Sequence, residues 1–513
     1  MNLMMILEMA AGAFGDRVAF QNGEDRLTYQ QLFDAAGALA AHLDDGRTKH
    51  LAMLDVSTLA LPIGVFGASW AGVPFAPLNY RLTDGELDAL ISQLNPGRLI
   101  TDDERASRLD GKFGSPSAGG DFVSVGSRAA MLDAVRAPGA AKREDAWSMD
   151  PDDTAILLFT SGTTGAPKAA VLRQKHLVSY VLGTVEFMGA DEADASLSCV
   201  PPYHIAGMAA IASSVYSGRR VIQLPNFSAE TWLDIARREA VTHAFVVPTM
   251  LARIVDLLEA EGRGDAGLSS LRALSYGGGK MPQSVIEKAM KLFPQTDFTN
   301  AYGLTETSST IALLGPQDHR DAMASPDEAV RRRIVSVGQP LPTVEVSIRD
   351  PEDGRELPIG ERGLIHVRGE QVSGEYRGKG SQLDAEGWFN TRDGGYLDEG
   401  GYLFLEGRMD DVIVRGGENM SPGEIEDVLL THEAVLDACV IGVPDEQWGE
   451  AVAAVVVLAG GKQASVSELQ QWVKDRLRSS RTPERIEFWP ELPYNETGKL
   501  LRRKVREALR EDA

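Results

Sequence analysis

Cysteine is scarce in this chain of 513 residues. There are two, Cys199 and Cys439, both in apolar, strand-like surroundings. Such a pair argues against a disulfide framework and for buried free thiols in a reducing, cytoplasmic compartment. Positive charge is also short. Lys and Arg number 51 against 74 Asp and Glu, a net charge of −23. That balance excludes non-specific binding to nucleic acid or to an anionic membrane. No basic stretch precedes the apolar residues Met1 to Leu7, which meet Glu8 at once, so no secretory signal is read there. One uncharged run, Leu59 to Leu78, has the 20 residues that a bilayer span needs. Pro62, Pro74 and Pro77, with three glycines, suit a buried helix followed by a buried strand instead. No transmembrane segment is therefore expected. No internal repeat or low-complexity tract is present.

What the chain does have is core-forming material. Its hydrophobic fraction is 43%, enough at this length for at least two domains. Strand-like and helix-like stretches alternate through the first half. Strands are expected at 49–56, 73–78 and 97–101, and helices at 59–71 and 84–94. Thr83 and Glu86 are spaced as a capping box for the second helix. Further strands are expected at 196–200, 220–224, 243–247, 272–276 and 297–300, with helices at 229–239 and 282–292. The alternation predicts parallel sheets covered by helices on both faces. Residues 114–147 read as a surface segment. From 335 to 368 the texture changes to short β runs, which suggests a small barrel or sheet. The fold class is α/β: a large N-terminal domain over 1–409 and a small, mobile α+β C-terminal domain over 410–513.

The chemistry concentrates after the apolar run 155–159. Thr160, Ser161, Gly162, Thr163, Thr164, Gly165, Ala166, Pro167 and Lys168 combine hydroxyls, glycines and one lysine. Glycines let backbone N–H groups turn toward an anion, and a lysine supplies a compact positive charge. This composition suits a polyphosphate. It is not a Walker A loop, because Lys168 follows Pro167 and precedes Ala169 rather than standing in a Gly-Lys-Ser/Thr string.

The string from Leu158 to Lys168 closely resembles the signature loop of the adenylate-forming superfamily. Acyl-CoA synthetases, peptide-synthetase adenylation domains and beetle luciferases share it, and the resemblance extends over nearly the whole chain. It implies ATP and Mg²⁺ as cofactors, with a carboxylic acid as substrate. In Asn300-Ala301-Tyr302-Gly303-Leu304-Thr305-Glu306 the resemblance places Tyr302 against the adenine. It gives Thr305 the α-phosphate and Glu306 the Mg²⁺ ion. The string Tyr276-Gly277-Gly278-Gly279-Lys280 also follows a strand, and its glycines leave room for a base or an acyl chain. Lys280 stands where the family has proline. In Asn390-Thr391-Arg392-Asp393-Gly394, Asp393 is expected on the ribose hydroxyls, and Arg392 replaces the usual glycine. Arg408 is expected on ribose or phosphate.

Pro201-Pro202-Tyr203-His204 resembles the acyl-pocket string, with His204 as a gate beside the carboxylate. Amino-acid-activating relatives usually carry an Asp there, so a simple carboxylic acid is expected. Asp410 holds the hinge position. Gly416 and Gly417 resemble the segment that lines the pantetheine tunnel for CoA. Lys499, in a Pro-x-x-x-x-Gly-Lys string, resembles the catalytic lysine.

The resemblance thus implies an acyl-CoA synthetase for a fatty or bulky cyclic acid, with small-molecule partners (acid, ATP and CoA) and no nucleic acid. Two alternatives stay open: an enzyme that loads a carrier protein, and a luciferase-like monooxygenase. The oligomeric state is not readable. Lys499 and the Gly416–Gly417 segment lie over 80 residues apart in one small domain, and one rigid pose would not bring both to the same phosphate. Replacing Lys499 by Ala is therefore expected to slow acyl-AMP formation by roughly 10²–10³-fold, the loss typical of one charge stabiliser. Conversion of supplied acyl-AMP to acyl-CoA should be spared. Assaying the two half-reactions separately checks this, and equal loss of both would contradict it.

Overall fold

The computed structural model describes residues 1–113, 123–160, 168–408, 411–415, 418–445, 448–495 and 500–511. Among them two large sheets and one small one build the first 408 residues. The nine-stranded sheet runs Gln339–Pro340, Ser309–Leu314, Asp297–Leu304, Ala273–Gly277, His243–Val246, Ala195–Ser198, Arg220–Gln223, Val18–Asn22 and Asp25–Thr28. Its central strands are parallel, as the alternating pattern predicts. The eight-stranded sheet has Lys168–Arg173, Thr154–Thr160, Phe75–Pro77, Leu51–Leu54, Gly97–Thr101 and Val123–Ser127 as its main run. Glu345–Arg349, Gly363–Arg368, Phe389–Leu397 and Leu403–Arg408 pair antiparallel as an open four-stranded sheet, so of barrel and sheet the second is the form taken.

The uncharged run 59–78 behaves as its prolines imply. Helix Ala60–Ala71 is buried almost throughout and ends at Gly72, whose φ of +73 stops it, before strand Phe75–Pro77. Helix Asp84–Ser92 carries the Thr83–Glu86 capping box. No described helix is long and apolar enough to cross a membrane. Both cysteines are buried and free. Burial pushes each thiol up to about 12, which leaves them protonated and inert.

One stretch departs from expectation. The segment 114–147 reads as surface, but its described part, from 123, is not mere surface. Val123–Ser127 adds a parallel edge strand beside Gly97–Thr101, and helix Arg128–Arg136 buries Met131 and Val135. Its Gly, Ala and charge content masks two apolar contacts a helical turn apart. The apolar residues near the N-terminus form a helix, Leu3–Phe14, capped by Asn2, with Leu3, Met4, Ile6, Leu7, Ala10 and Ala11 buried.

After residue 411 a separate core begins. Strands Val435–Asp445, Gly449–Leu458 and Arg485–Phe488 form a three-stranded sheet covered by helices Pro422–Leu430, Val466–Lys474 and Arg502–Glu511. The buried residues of its two hydrophobic clusters lie between 413 and 509, with none from the preceding sheets. The expected hinge, Asp410, lies outside the described residues.

Candidate active site

Parallel strands share the edge where they end, and in open α/β sheets that edge is where ligands bind. Three of the expected strings leave one edge of the nine-stranded sheet. Ala195–Ser198 leads to Tyr203 and His204, Ala273–Gly277 to Gly278 and Gly279, and Asp297–Leu304 contains Tyr302 and precedes Thr305 and Glu306. Gly277 lies opposite Ala301 in the neighbouring strand. A Cβ on Gly277 would sit 2.3 Å from the Ala301 carbonyl oxygen, so strand spacing alone requires glycine there. Gly278 follows at φ +82.

Tyr302 is buried, and its hydroxyl donates to Asp393 Oδ2 at 2.6 Å. Burial, then the neighbouring carboxylate, raises the Tyr302 pKa well above its ordinary value, which keeps the proton in place for this bond. Asp393 faces Arg408 in the adjacent strand, and Arg408 Nε lies 3.2 Å from Asp393 Oδ1. The structure therefore brings the adenine, ribose and phosphate candidates together across two sheets. Arg392, beside Asp393, has φ +62. That left-handed backbone accounts for glycine being the usual residue.

Thr305 and Glu306 fall in a short 3₁₀ turn, Thr305–Thr307. The Glu306 carbonyl accepts from the N–H of Ser373 at 2.8 Å and of Gly374 at 3.0 Å. Its side-chain Oε1 accepts from the Tyr376 hydroxyl. Tyr376 pairs with Ala170, two residues past Lys168. Sequence reasoning missed Tyr376, because no local signal ties it to a residue 70 positions earlier.

Thr160 and Lys168 are register partners across an antiparallel pair, and Thr160 Oγ1 donates to the Lys168 carbonyl at 3.4 Å. Ser161, Gly162, Thr163, Thr164 and Gly165 between them lie outside the described residues.

His204 caps helix Ile205–Ser217, half-buried, with its ring 4.6 Å from that of Tyr203. Tyr203 in turn meets Tyr80 edge-on at 5.5 Å. Burial lowers the His204 pKa to about 4, so the ring is neutral at pH 7.

The small unit touches this site from one side. Lys280 pairs with Asp427 on helix Pro422–Leu430, which gives the lysine at the proline position a partner. Arg362 reaches Glu406 at 3.0 Å and Glu424 at 3.3 Å, and Arg481 reaches Glu424 at 2.6 Å. Lys499, Gly416 and Gly417 lie outside the described residues, but their flanks are anchored. Strands Ile413–Arg415 and Glu418–Met420 pair antiparallel. Tyr494 bridges to Leu500 and donates to Asp437 Oδ2 at 2.8 Å. Arg502, just past that bridge, is anchored within the unit. It is mostly buried, holds Glu426 Oε2 at 2.7 Å and the Val440 carbonyl at 2.8 Å, and lies 3.6 Å from Asp411.

Known proteins share this arrangement. The model of the AMP-binding enzyme family matches residues 7–377. That of the AMP-binding enzyme C-terminal domain matches residues 424–499. The 2-succinylbenzoate–CoA ligase of Bacillus licheniformis is 33% identical over 506 residues, 97% of this chain and 98% of that one. The fatty acid–[acyl-carrier-protein] ligase ScoC of Streptomyces coeruleorubidus is 33% identical over 451 residues, 86% of this chain and 83% of that one. Two solved structures of o-succinylbenzoate CoA synthetase from Bacillus subtilis match with TM-score 0.80 and 30% identity. One holds the acyl-adenylate intermediate OSB-AMP and covers 98% of this chain and 97% of that one. The other holds ATP and a magnesium ion and covers 97% and 98%.

The left-handed Arg392 generates a test. A non-glycine residue in that conformation costs ~1–2 kcal/mol, and glycine returns only part of this through its freer unfolded chain. Arg392→Gly should raise stability by ~0.5–1 kcal/mol in urea unfolding. An unchanged or lower midpoint would show that the backbone there is unstrained.

Proposed function

Since the chain belongs to the family of AMP-binding enzymes, we propose that it is an acyl-CoA synthetase, an AMP-forming acid–thiol ligase that uses ATP, Mg²⁺ and CoA. The observation that carries this reading is the joining of Tyr302 to Asp393 and Arg408 across two sheets, four residues before Glu306. In the first step a carboxylate oxygen attacks the α-phosphorus of ATP. The bond to the bridging oxygen breaks, and pyrophosphate leaves. In the second the CoA sulfur attacks the acyl carbon, the acyl–oxygen bond breaks, and AMP leaves as the thiol gives up its proton.

Each residue has a part in that scheme. Asp393 accepts the ribose hydroxyls and holds the nucleoside in register. Arg408, already aimed at Asp393, neutralises charge beside it. Thr305 donates to the α-phosphate, and the 160–168 loop holds the outer phosphates, with Lys168 as its cation. Lys499 stabilises charge developing on the α-phosphoryl group. Preorganised donors of this kind act where charge develops. Glu306 fits Mg²⁺, which takes few carboxylates together with phosphate oxygens and water. No group of three His, Cys, Asp or Glu among the described residues would draw a different metal. Bound there, Mg²⁺ would neutralise the charge of the phosphate oxygens.

The acid is a bulky cyclic or aryl carboxylic acid in this reading. Support comes from the neutral His204 in place of the carboxylate that would pair an amino acid's ammonium group, from apolar Ile205 and Met208 just after it in sequence, and from Ile311 in the strand that follows Glu306. A fatty acid is the second choice, prompted by the Streptomyces relative. The carrier-protein ligase remains the alternative for the same reason. Residues from 410 onward act as a mobile unit. Ion pairs as exposed as Lys280–Asp427 are worth ~0–1 kcal/mol each, so this orientation is readily exchanged for another. Two buried thiols and the use of ATP and CoA support a cytoplasmic setting.

The test is a panel of acids followed by pyrophosphate release: 2-succinylbenzoate, substituted benzoates, medium- and long-chain fatty acids, and acetate. Each is run with CoA and then with a phosphopantetheinylated carrier protein. The expected outcome is the highest kcat/KM for a cyclic or aryl acid, with a thioester formed on CoA. Thioester on the carrier alone would favour the alternative, and oxygen uptake with light would favour the luciferase-like one.

A further inference from the structure

Resting on that reading of Glu306, we propose that Tyr376 is a positioning residue that fixes the Glu306 carboxylate in the orientation that receives Mg²⁺.

The segment 373–376 is bound to Glu306 twice. The Glu306 carbonyl takes the N–H groups of Ser373 and Gly374 at 2.8 and 3.0 Å. Its side-chain Oε1 takes the Tyr376 hydroxyl proton. The chain can return to the same residue because Gly374 reverses it. Gly374 has φ +52, and a Cβ there would stand 2.7 Å from Leu383 Cδ2 and 2.9 Å from Phe389 Cδ2. Glycine is required both by conformation and by space.

The segment is held just as firmly on its other side. Ser373 Oγ donates to the Val171 carbonyl at 2.6 Å. Glu375 takes both arms of Arg173, each at 2.8 Å, a bidentate geometry that fixes orientation as well as charge. Val171 and Arg173 belong to the strand that begins at Lys168. Tyr376 thus stands between the return strand of the phosphate loop and the carboxylate, and its ring is half-buried.

A carboxylate on a short turn has rotamer freedom that a metal ion must remove on binding. A donor on one oxygen removes it beforehand and directs the other oxygen. A phenol keeps its proton throughout the physiological range, so the hydroxyl is a donor there. The role is distinct from contact with substrate: Tyr376 acts through Glu306.

The experiment compares wild type, Tyr376→Phe, Tyr376→His and Glu306→Gln as full chains. ATP affinity is measured by calorimetry with and without Mg²⁺, alongside the Mg²⁺ dependence of pyrophosphate release. A hydrogen bond to a charged group is worth on the order of 10–100-fold in an equilibrium. Tyr376→Phe, whose ring preserves the packing, is expected to weaken Mg²⁺-ATP binding about 10-fold and to leave metal-free ATP binding unchanged. Excess Mg²⁺ should restore its kcat. Tyr376→His, which returns a ring N–H, should recover part of the loss. Wild-type Mg²⁺ dependence in Tyr376→Phe, with a large shift in Glu306→Gln, would overturn the positioning role and leave the reading of Glu306 standing. No shift in either would overturn both. Equal loss of ATP affinity with and without Mg²⁺, or a lowered melting temperature unrelieved by Tyr376→His, would mark a merely structural tyrosine and also overturn the proposal.

Discussion

The hydroxyl of Tyr302, donating to Asp393, joins two sheets that share no strand. The nine-stranded sheet supplies the tyrosine and the four-stranded sheet the aspartate. Arg408 closes the same carboxylate from the next strand. The remaining geometry follows from this junction. Glu306, four residues beyond Tyr302, is fixed relative to Asp393, and the 373–376 segment ties it to the strand that returns from the phosphate loop. Three sheets are thereby registered to one another where a nucleotide would lie. A protein of net charge −23 cannot attract a polyphosphate by its overall field. Its cations must be placed locally, and in the proposed reading Lys168, Arg408 and Lys499 serve that purpose.

The small C-terminal unit obeys a different constraint. Its core is its own, and exposed ion pairs form part of its contact with the large unit. Such contacts set an orientation without locking it. Within the unit, by contrast, Arg502 is buried against Glu426 and the Val440 carbonyl. A removed partner there would leave a buried charge, so the contact ties residue 502 firmly to the core of its own unit. Rigid parts on a weakly held joint suit a site that must serve two half-reactions.

Most of this was legible in the sequence where chemistry and periodicity coincide. The parallel strands, the capping box at Thr83 and Glu86, and the strings around Tyr302 and Asp393 all lie at the positions that their residues predict. Elements whose apolar residues are few or masked by Ala, Gly and charge were not legible, as with 123–136. Contacts between distant residues left no local trace. Tyr376 meets Glu306 only through the fold, and Arg502 meets Glu426, 76 residues away, in the same way. Lys280 stood out as a departure from the family string, yet its partner Asp427 is 147 residues away and no spacing rule reaches it.

The central claim is that an acid oxygen becomes bonded to the α-phosphorus of ATP. The most direct measurement follows that oxygen. A carboxylic acid that supports turnover, labelled with ¹⁸O in its carboxyl group, is converted with ATP and CoA, and the AMP and pyrophosphate are analysed by mass spectrometry. The account predicts one ¹⁸O atom in each AMP formed and none in pyrophosphate. Label appearing in inorganic phosphate, with ADP as the nucleotide product, would mean attack at the γ-phosphorus and would contradict it.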